Sequence, residues 1–361
     1  MSLRFPRGVL SDKVIPWLDE RIYLSSFQKF LRNKMVPNHR HTVWYLFGGL
    51  TLFFFIVQIV TGVLLLLYYK STPETAYESV KHIITEVPYG NLVRSIHVWS
   101  AHFMIAAVVI HMFSVYFMKA YRKPREAMWL SGFVLLMLTL GFGFTGYLLP
   151  WDTTAFFATQ IGTEIPRSIP LVGETIALLL RGGTEVNGET LTRLFALHVV
   201  VLPLTALLIL GFHLVLNQLH GTSKPIGVSE KGKPIPFLPT YVRRDWLTWL
   251  FSAVALVVAA LVISWGLATK ADPFGSAPAG IRPEWYFWFL FQTLKFGPSR
   301  VFSMSGELIV NVVVALAGLV WWLVPFLDRN ARKEKASPFF TALGILILGY
   351  LAAMTLWAGL T

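Results

Sequence analysis

Four histidines lie inside two long apolar stretches at nearly matching intervals: His97 and His111 are 14 residues apart, and His198 and His213 are 15 apart. At about 100° and 1.5 Å per helical residue, 14 steps return to within about 40° of the starting face and 15 to within about 60°. Each pair therefore presents two imidazoles on roughly one side of its helix, about 21 to 22 Å apart along the axis. A hydrocarbon core is about 30 Å thick, so both levels fit within one membrane. A nitrogen ligand at each level of two helices holds two metal centres, one above the other. Zinc or copper sites gather three or four clustered ligands, which this spacing does not supply. Unpaired imidazoles are costly in lipid, so four of them need partners.

The elements that would position these side chains are membrane spans. The chain has 361 residues, of which 55% are hydrophobic and 14% charged, against about 25% charged in an ordinary soluble protein; mean hydropathy is +0.59. Seven apolar stretches reach the roughly 20 residues needed to cross a bilayer: 43–68, 93–118, 128–149, 192–216, 246–268, 305–327 and 338–358. The expected fold is an all-α polytopic membrane protein. The first 40 residues lack a short apolar core before a small-residue cleavage site, so no removable signal peptide is expected. With no cysteine in the chain, disulfides, iron–sulfur ligation by this chain and thioether-linked haem are excluded, which leaves histidine as the ligand.

The net charge of +12 follows membrane topology rather than a nucleic-acid surface. With Arg94 and Arg193 counted at the mouths of their spans, 21 of the 31 lysines and arginines fall on one face: the N-terminal arm and the loops after spans two, four and six. The positive-inside rule makes that face cytoplasmic (the n side) and the other the p side. Spans two and four then run the same way, which pairs His97 with His198 near the p side and His111 with His213 near the n side. The chain divides into an N-terminal arm over 1–42, a four-helix domain over 43–222 and a three-helix domain over 223–361. In the arm, Val14, Leu18 and Ile22 recur at helical spacing among charges, predicting an amphipathic surface helix. The long loop at about 150–191 carries apolar stretches and predicts short p-side helices.

Spans one and three repeat the interval with glycine: Gly48 and Gly62 are 14 apart, as are Gly132 and Gly146. Gly48 and Gly132 fall level with His111 and His213, and Gly62 and Gly146 with His97 and His198. Glycine is routine at close helix contacts in membranes; two glycine pairs in register with two histidine pairs instead suggest room for a flat plate, namely non-covalent haem with two axial histidines. Arg94, one turn from His97, suits either a haem propionate or an interfacial snorkelling role. His102, five steps from His97, reads as a packed or hydrogen-bonded residue; His39, His41 and His82 read as solvated. His220, just past span four, suits a quinone or simple exposure. Pro283-Glu284-Trp285-Tyr286 opens an aromatic run to Phe291. It reads either as an interfacial belt or as a carboxylate beside an apolar pocket, able to take a proton from a bound hydroxyl.

These ladders, with Gly146-Tyr147-Leu148-Leu149-Pro150-Trp151 and Pro283-Glu284-Trp285-Tyr286, resemble cytochrome b of the quinol:cytochrome c oxidoreductases from about residue 30 onward. The 15-residue second interval, Met35-Val36-Pro37, Lys123-Pro124-Arg125-Glu126 and Ala271-Asp272-Pro273-Phe274 are similar to the photosynthetic branch, where a four-helix cytochrome b and a three-helix subunit IV are separate chains. Here both parts are joined. The resemblance implies two non-covalent b-type haems, at His97/His198 and His111/His213. It also implies quinol oxidation on the p side, with Glu284 as proton acceptor and Tyr147 and Tyr286 nearby. On the n side it implies quinone reduction near Arg244, Asp245 and His220. It implies a Rieske iron–sulfur partner, a c-type cytochrome subunit, a homodimeric complex and a bacterial inner membrane with the N-terminus cytoplasmic. Three departures stand out: Met35 replaces a cysteine that binds an extra haem in the photosynthetic branch, Ser114 replaces a basic residue after the n-side ligand, and Ala158 occupies the position where the respiratory branch commonly has a glycine that admits methoxyacrylate inhibitors. A dihaem anchor wiring a dehydrogenase or hydrogenase to quinone would share the histidines but would not need the Glu284 motif.

Overall fold

A computed structural model describes residues 14–297, 300–301 and 304–361; the expectation for the arm before residue 14 lies outside the described residues. Seven helices are long and apolar enough to cross a membrane: Thr42–Leu66, Gly90–Phe117, Glu126–Tyr147, Gly188–His220, Phe237–Val262, Gly306–Arg332 and Pro338–Leu360. Among the described residues, β pairing is confined to two ladders of two-residue strands and one isolated bridge between Asp152 and Lys270. Many leucines, valines and isoleucines of the spans, such as Leu208, Leu261 and Val262, are exposed, as a lipid-facing surface requires.

Several boundaries differ from the hydropathy reading, among them the fifth span's start at Phe237 rather than 246, and two of the differences have identifiable reasons. The fourth span starts at Gly188 rather than 192 because its polar first turn is capped. The Asn187 side chain accepts from the Glu189 and Thr190 amides at 2.9 and 3.3 Å, and Thr190 Oγ1 accepts from Asn187 N at 3.0 Å. A reciprocal cap of this kind satisfies amides that would otherwise lack partners. The fifth span, expected to run to 268, leaves helical geometry at Ile263. Its last carbonyls are taken by the second span instead: Trp99 Nε1 donates to Ile263 O at 2.8 Å, and Arg94 donates to Trp265 O at 2.5 Å and Gly266 O at 3.2 Å. The apolar run past Val262 is thus a strap across one end of the bundle.

Surface elements lie at both ends. The arm forms two amphipathic helices, Ile15–Ile22 and Leu24–Asn33, with Trp17, Ile22 and Tyr23 exposed. Val36 then pairs with Ile235 in a short antiparallel ladder, tying the arm to the loop after span four. The long loop after span three folds into helices Thr153–Arg167 and Gly173–Arg181. The aromatic run after Glu284 is a single helical turn followed by helix Trp288–Phe296.

The four-helix and three-helix parts meet over a buried aromatic seam. Tyr116 stacks on Trp321 with centroids 4.1 Å apart, and Trp129 Nε1 donates to Trp321 O at 3.2 Å. Tyr121 OH donates to Asp328 Oδ2 at 2.8 Å, while Asp328 Oδ1 accepts from Ala331 N at 3.0 Å. Asp328 is 1% exposed, so removing it leaves a buried hydroxyl and a helix-start amide without partners. Asp328→Ala is expected to cost about 1 to 3 kcal/mol, read as a lower thermal unfolding midpoint in detergent, whereas Leu208→Ala on the lipid-facing surface is expected to leave it nearly unchanged.

Candidate functional site

Each histidine of the ladder meets one glycine of the neighbouring span. A Cβ on Gly62 would stand 3.4 Å from His97 Cε1, and one on Gly48 3.1 Å from His111 Cε1. On the other pair of spans the corresponding separations are 3.2 Å for Gly132 and His213 and 2.6 Å for Gly146 and His198. The glycines therefore lie at the levels their spacing gives. What fills the missing Cβ position is the imidazole of the adjacent helix, so these residues first of all make room for the ring.

The uneven second interval has a local cause. Residues 197–201, which include His198, form a wide helical turn with one residue more than an α-helical turn. Pro203 has no amide hydrogen to continue the regular ladder, and such bulges absorb an inserted residue. Fifteen residues with one insertion return to the face reached by 14, so the larger offset expected for an unbroken helix is removed.

Three of the four rings are oriented by a hydroxyl that directly precedes the glycine. Thr61 Oγ1 lies 2.8 Å from His97 Nδ1, Thr145 Oγ1 3.0 Å from His198 Nδ1, and Ser131 Oγ 3.0 Å from His213 Nδ1. Each hydroxyl spends its one hydrogen on its own helix, on Val57 O at 2.6 Å, Gly141 O at 2.8 Å and Met128 O at 3.0 Å. The oxygen must then accept from Nδ1–H, which leaves Nε2 unprotonated as a lone-pair donor. Residue 47 before Gly48 is phenylalanine, and His111 Nδ1 is buried without a hydrogen-bond partner. The dipeptides Thr61-Gly62, Ser131-Gly132 and Thr145-Gly146 carry this signal in the sequence, which the intervals between histidines and between glycines do not express.

The donor set fits a haem iron. His97 and His198 rings have centroids 6.5 Å apart, at 70° to each other. Two imidazoles on opposite sides of one metal, with metal–nitrogen bonds of about 2 Å and centroids about 1.1 Å behind their nitrogens, stand about 6.3 Å apart. Among the described residues no three histidine, cysteine or carboxylate groups gather as a metal site.

A cavity of about 680 Å³ surrounds His97 and His198, lined by these two rings, Gly62 and Gly146 and also by Tyr147, Glu284, Tyr286, Arg94 and the strap residues 265–268. Glu284 retains 20% side-chain exposure, and burial pushes its carboxyl up to about 7. Burial also raises the Tyr286 hydroxyl, and its ring packs where a Cβ on Gly143 would stand. Arg94 spends its guanidinium on strap carbonyls. His102, expected to be packed or hydrogen-bonded, accepts from Trp285 Nε1 at 2.9 Å.

The other end is not gathered in the same way. Arg244 lines a shallow apolar crevice of about 340 Å³ with Thr42, Leu46 and Tyr241, and neither Asp245 nor His220 lines it. The Asp245 carboxylate instead faces the missing Cβ of Gly49, and His220 offers its carbonyl to Arg125 at 2.8 Å. Ser114 donates to His111 O at 2.8 Å and so turns back to its own helix.

Comparison with known proteins follows this geometry. Residues 31–221 match the family model described as cytochrome b/b6/petB, and 270–361 match that described as cytochrome b(C-terminal)/b6/petD. The cytochrome bc complex cytochrome b subunit of Chlorobaculum thiosulfatiphilum is 52% identical over 348 residues, 95% of this chain and 80% of that protein. Cytochrome b6 of Heliobacterium mobile is 43% identical over 211 residues, 58% of this chain and 99% of that protein. A chain of the solved structure titled hyperthermophilic respiratory Complex III superposes with a TM-score of 0.83 at 28% identity, covering 96% of this chain and 91% of that one.

Because burial disfavours the charged form, Glu284 is expected to stay protonated up to about pH 7. An infrared carboxyl band that titrates near pH 7 and is missing from Glu284→Gln checks this; a band titrating near 4.5 contradicts it.

Proposed function

The chain belongs to the cytochrome b/b6 family, and from that premise we propose that it is the dihaem cytochrome b subunit of a quinol:cytochrome c (or other acceptor) oxidoreductase. His97 with His198 and His111 with His213 would hold two non-covalent b-type haems. When bound, each haem would supply a one-electron acceptor at its level, the chemistry that a bifurcated quinol oxidation would need, with one electron going to a Rieske iron–sulfur partner and the other toward an n-side quinone site. The observation that carries the reading is the pairing of His97 with His198 beside a cavity walled by Glu284.

The chain's own residues do the proton and positioning work. Glu284, with its carboxyl near neutrality, is matched to accept a proton from a quinol hydroxyl, since a general base works best when its pKa lies near the operating pH. Tyr147 and Tyr286 shape the pocket for a ring. Arg94 and Trp99 hold the strap over the cavity and keep bulk water from the reacting hydroxyl. Arg244, Asp245 and His220 are proposed for the n-side quinone, where a bound quinone would have to draw them together. The basic face is cytoplasmic in this reading, within a bacterial inner membrane. A Rieske protein, a c-type cytochrome and a second copy of the complex complete the assembly, because a cysteine-free chain builds neither an iron–sulfur centre nor a covalently attached haem.

Reduced-minus-oxidised spectra with a redox titration test this on the purified complex. Two one-electron b-type waves are expected, with one lost in His97→Ala and the other in His111→Ala. Glu284→Gln is expected to retain both waves and lose quinol oxidation by about 100-fold or more. A preparation without haem absorbance rejects the reading. Quinol oxidation undiminished in Glu284→Gln with both haems intact rejects the role of the carboxylate and leaves a dihaem anchor.

A further inference from the structure

Beside the quinol pocket sits an imidazole that the ladder does not use. His102 projects from span two, is 8% exposed, and lies with its ring on Trp265 of the strap, centroids 4.9 Å apart and planes 15° apart. Trp285, next to Glu284 in sequence, donates its indole N–H to His102 Nδ1 at 2.9 Å. An indole nitrogen only donates, so Nδ1 must accept and the ring proton of neutral His102 sits on Nε2. Nε2 in turn lies 3.7 Å from Glu284 Oε2. This is just beyond a hydrogen bond, and catalytic contacts often close to one only when substrate is bound.

We propose that His102 is a positioning residue for the quinol-site carboxylate: its Nε2–H donates to Glu284, favouring the ionised, proton-accepting form and fixing where the carboxylate points. The inference rests on the reading of Glu284 as proton acceptor. In this tautomer His102 has no free lone pair toward Glu284, so it does not relay the proton; the proton gained by Glu284 leaves by another route. Trp265 and Trp285 clamp the ring from two sides. Arg94 holds Trp265 in place, so the second span fixes both the donor and its platform. The other titratable groups lining the cavity are Tyr147, Asp152, Arg94, His97 and His198 from other elements, and Tyr286 from the segment of Glu284. None of these is placed in hydrogen-bond contact with the carboxylate.

The test is the pH profile of quinol oxidation by the purified complex, with the haem spectrum of each variant reporting assembly. Glu284 acts when ionised, so loss of a donor to the carboxylate disfavours the active form and moves the acid limb to higher pH. His102→Leu is expected to shift that limb upward by about one pH unit, a tenfold change in proton concentration. His102→Asn keeps an acceptor for Trp285 but does not reach Glu284, so the same shift is expected. His102→Gln carries its amide to the Nε2 position, and the acid limb is expected to stay within a few tenths of a unit of the parent. The infrared carboxyl band of Glu284 should move with the limb, which keeps the test available if turnover collapses. An unmoved limb and band in His102→Leu overturn the proposal, as does a parental profile in His102→Asn with a shift in His102→Gln. Undiminished quinol oxidation in Glu284→Gln would instead reject the underlying reading of the carboxylate.

Discussion

The contact between glycine and imidazole is the constraint on which the rest of this bundle depends. An imidazole inside a membrane span needs space, a partner for one nitrogen and a use for the other. Space comes from the absent side chains of Gly48, Gly62, Gly132 and Gly146, which let neighbouring spans approach until a ring fills the gap. The hydroxyls of Thr61, Ser131 and Thr145 occupy Nδ1 at three of the four rings. What remains on these three rings is an Nε2 lone pair, and no protein donor among the described contacts satisfies it. Chain-adjacent antiparallel spans are thereby locked in register, because a slip of one residue would set a Cβ against each ring.

The pocket beside this core is built by interrupting a helix. Had the fifth span run on through its apolar continuation, Trp265 and its neighbours would face lipid. Backbone carbonyls beyond Val262 are drawn inward by Arg94 and Trp99, and the charge of Arg94 is spent on two of them. A half-buried guanidinium satisfied by carbonyl dipoles avoids the cost of an unpaired charge. The same contacts turn a hydrophobic tail into the cover of a cavity. The strap and Glu284 reach the second span from different parts of the C-terminal unit, so the site exists only where the two units are joined. The aromatic seam of Tyr116, Trp129 and Trp321 secures that junction at the other end.

Much of the fold was legible because its signals are periodic. Seven apolar stretches gave seven spans, and histidine and glycine intervals gave the two levels, since helical rise and rotation convert spacing into place. The failures are equally physical. Hydropathy placed the end of the fifth span at 268, because it registers that a stretch is apolar and not whether another helix has captured its carbonyls. It also began the fourth span late, since a capped first turn is polar. The offset expected from the interval of 15 residues assumed an unbroken α-helix, and the wide turn ahead of Pro203 removed it. His102 was legible only as packed or hydrogen-bonded, because its neighbours Trp285 and Glu284 are nearly 200 residues away in sequence. Arg244, Asp245 and His220 come from motif resemblance, and no single pocket gathers them.

The role proposed for Glu284 accounts for its place on a loop rather than on a span. A carboxylate in open water keeps a pKa near 4.3, too low to draw a proton from a hydroxyl at neutral pH. In the middle of a span, desolvation would hold the same group protonated, and it could not act as a base at all. Glu284 stands between these limits: burial has carried its carboxyl to about 7, yet a fifth of the side chain remains exposed. Its neighbour Tyr286 is anchored against Gly143, which steadies the backbone that carries the carboxylate. One glycine on the third span thus sets the position of a residue about 140 positions later. The economy of the site lies there: glycines make room both for the ladder imidazoles and for the tyrosine that steadies the segment of Glu284.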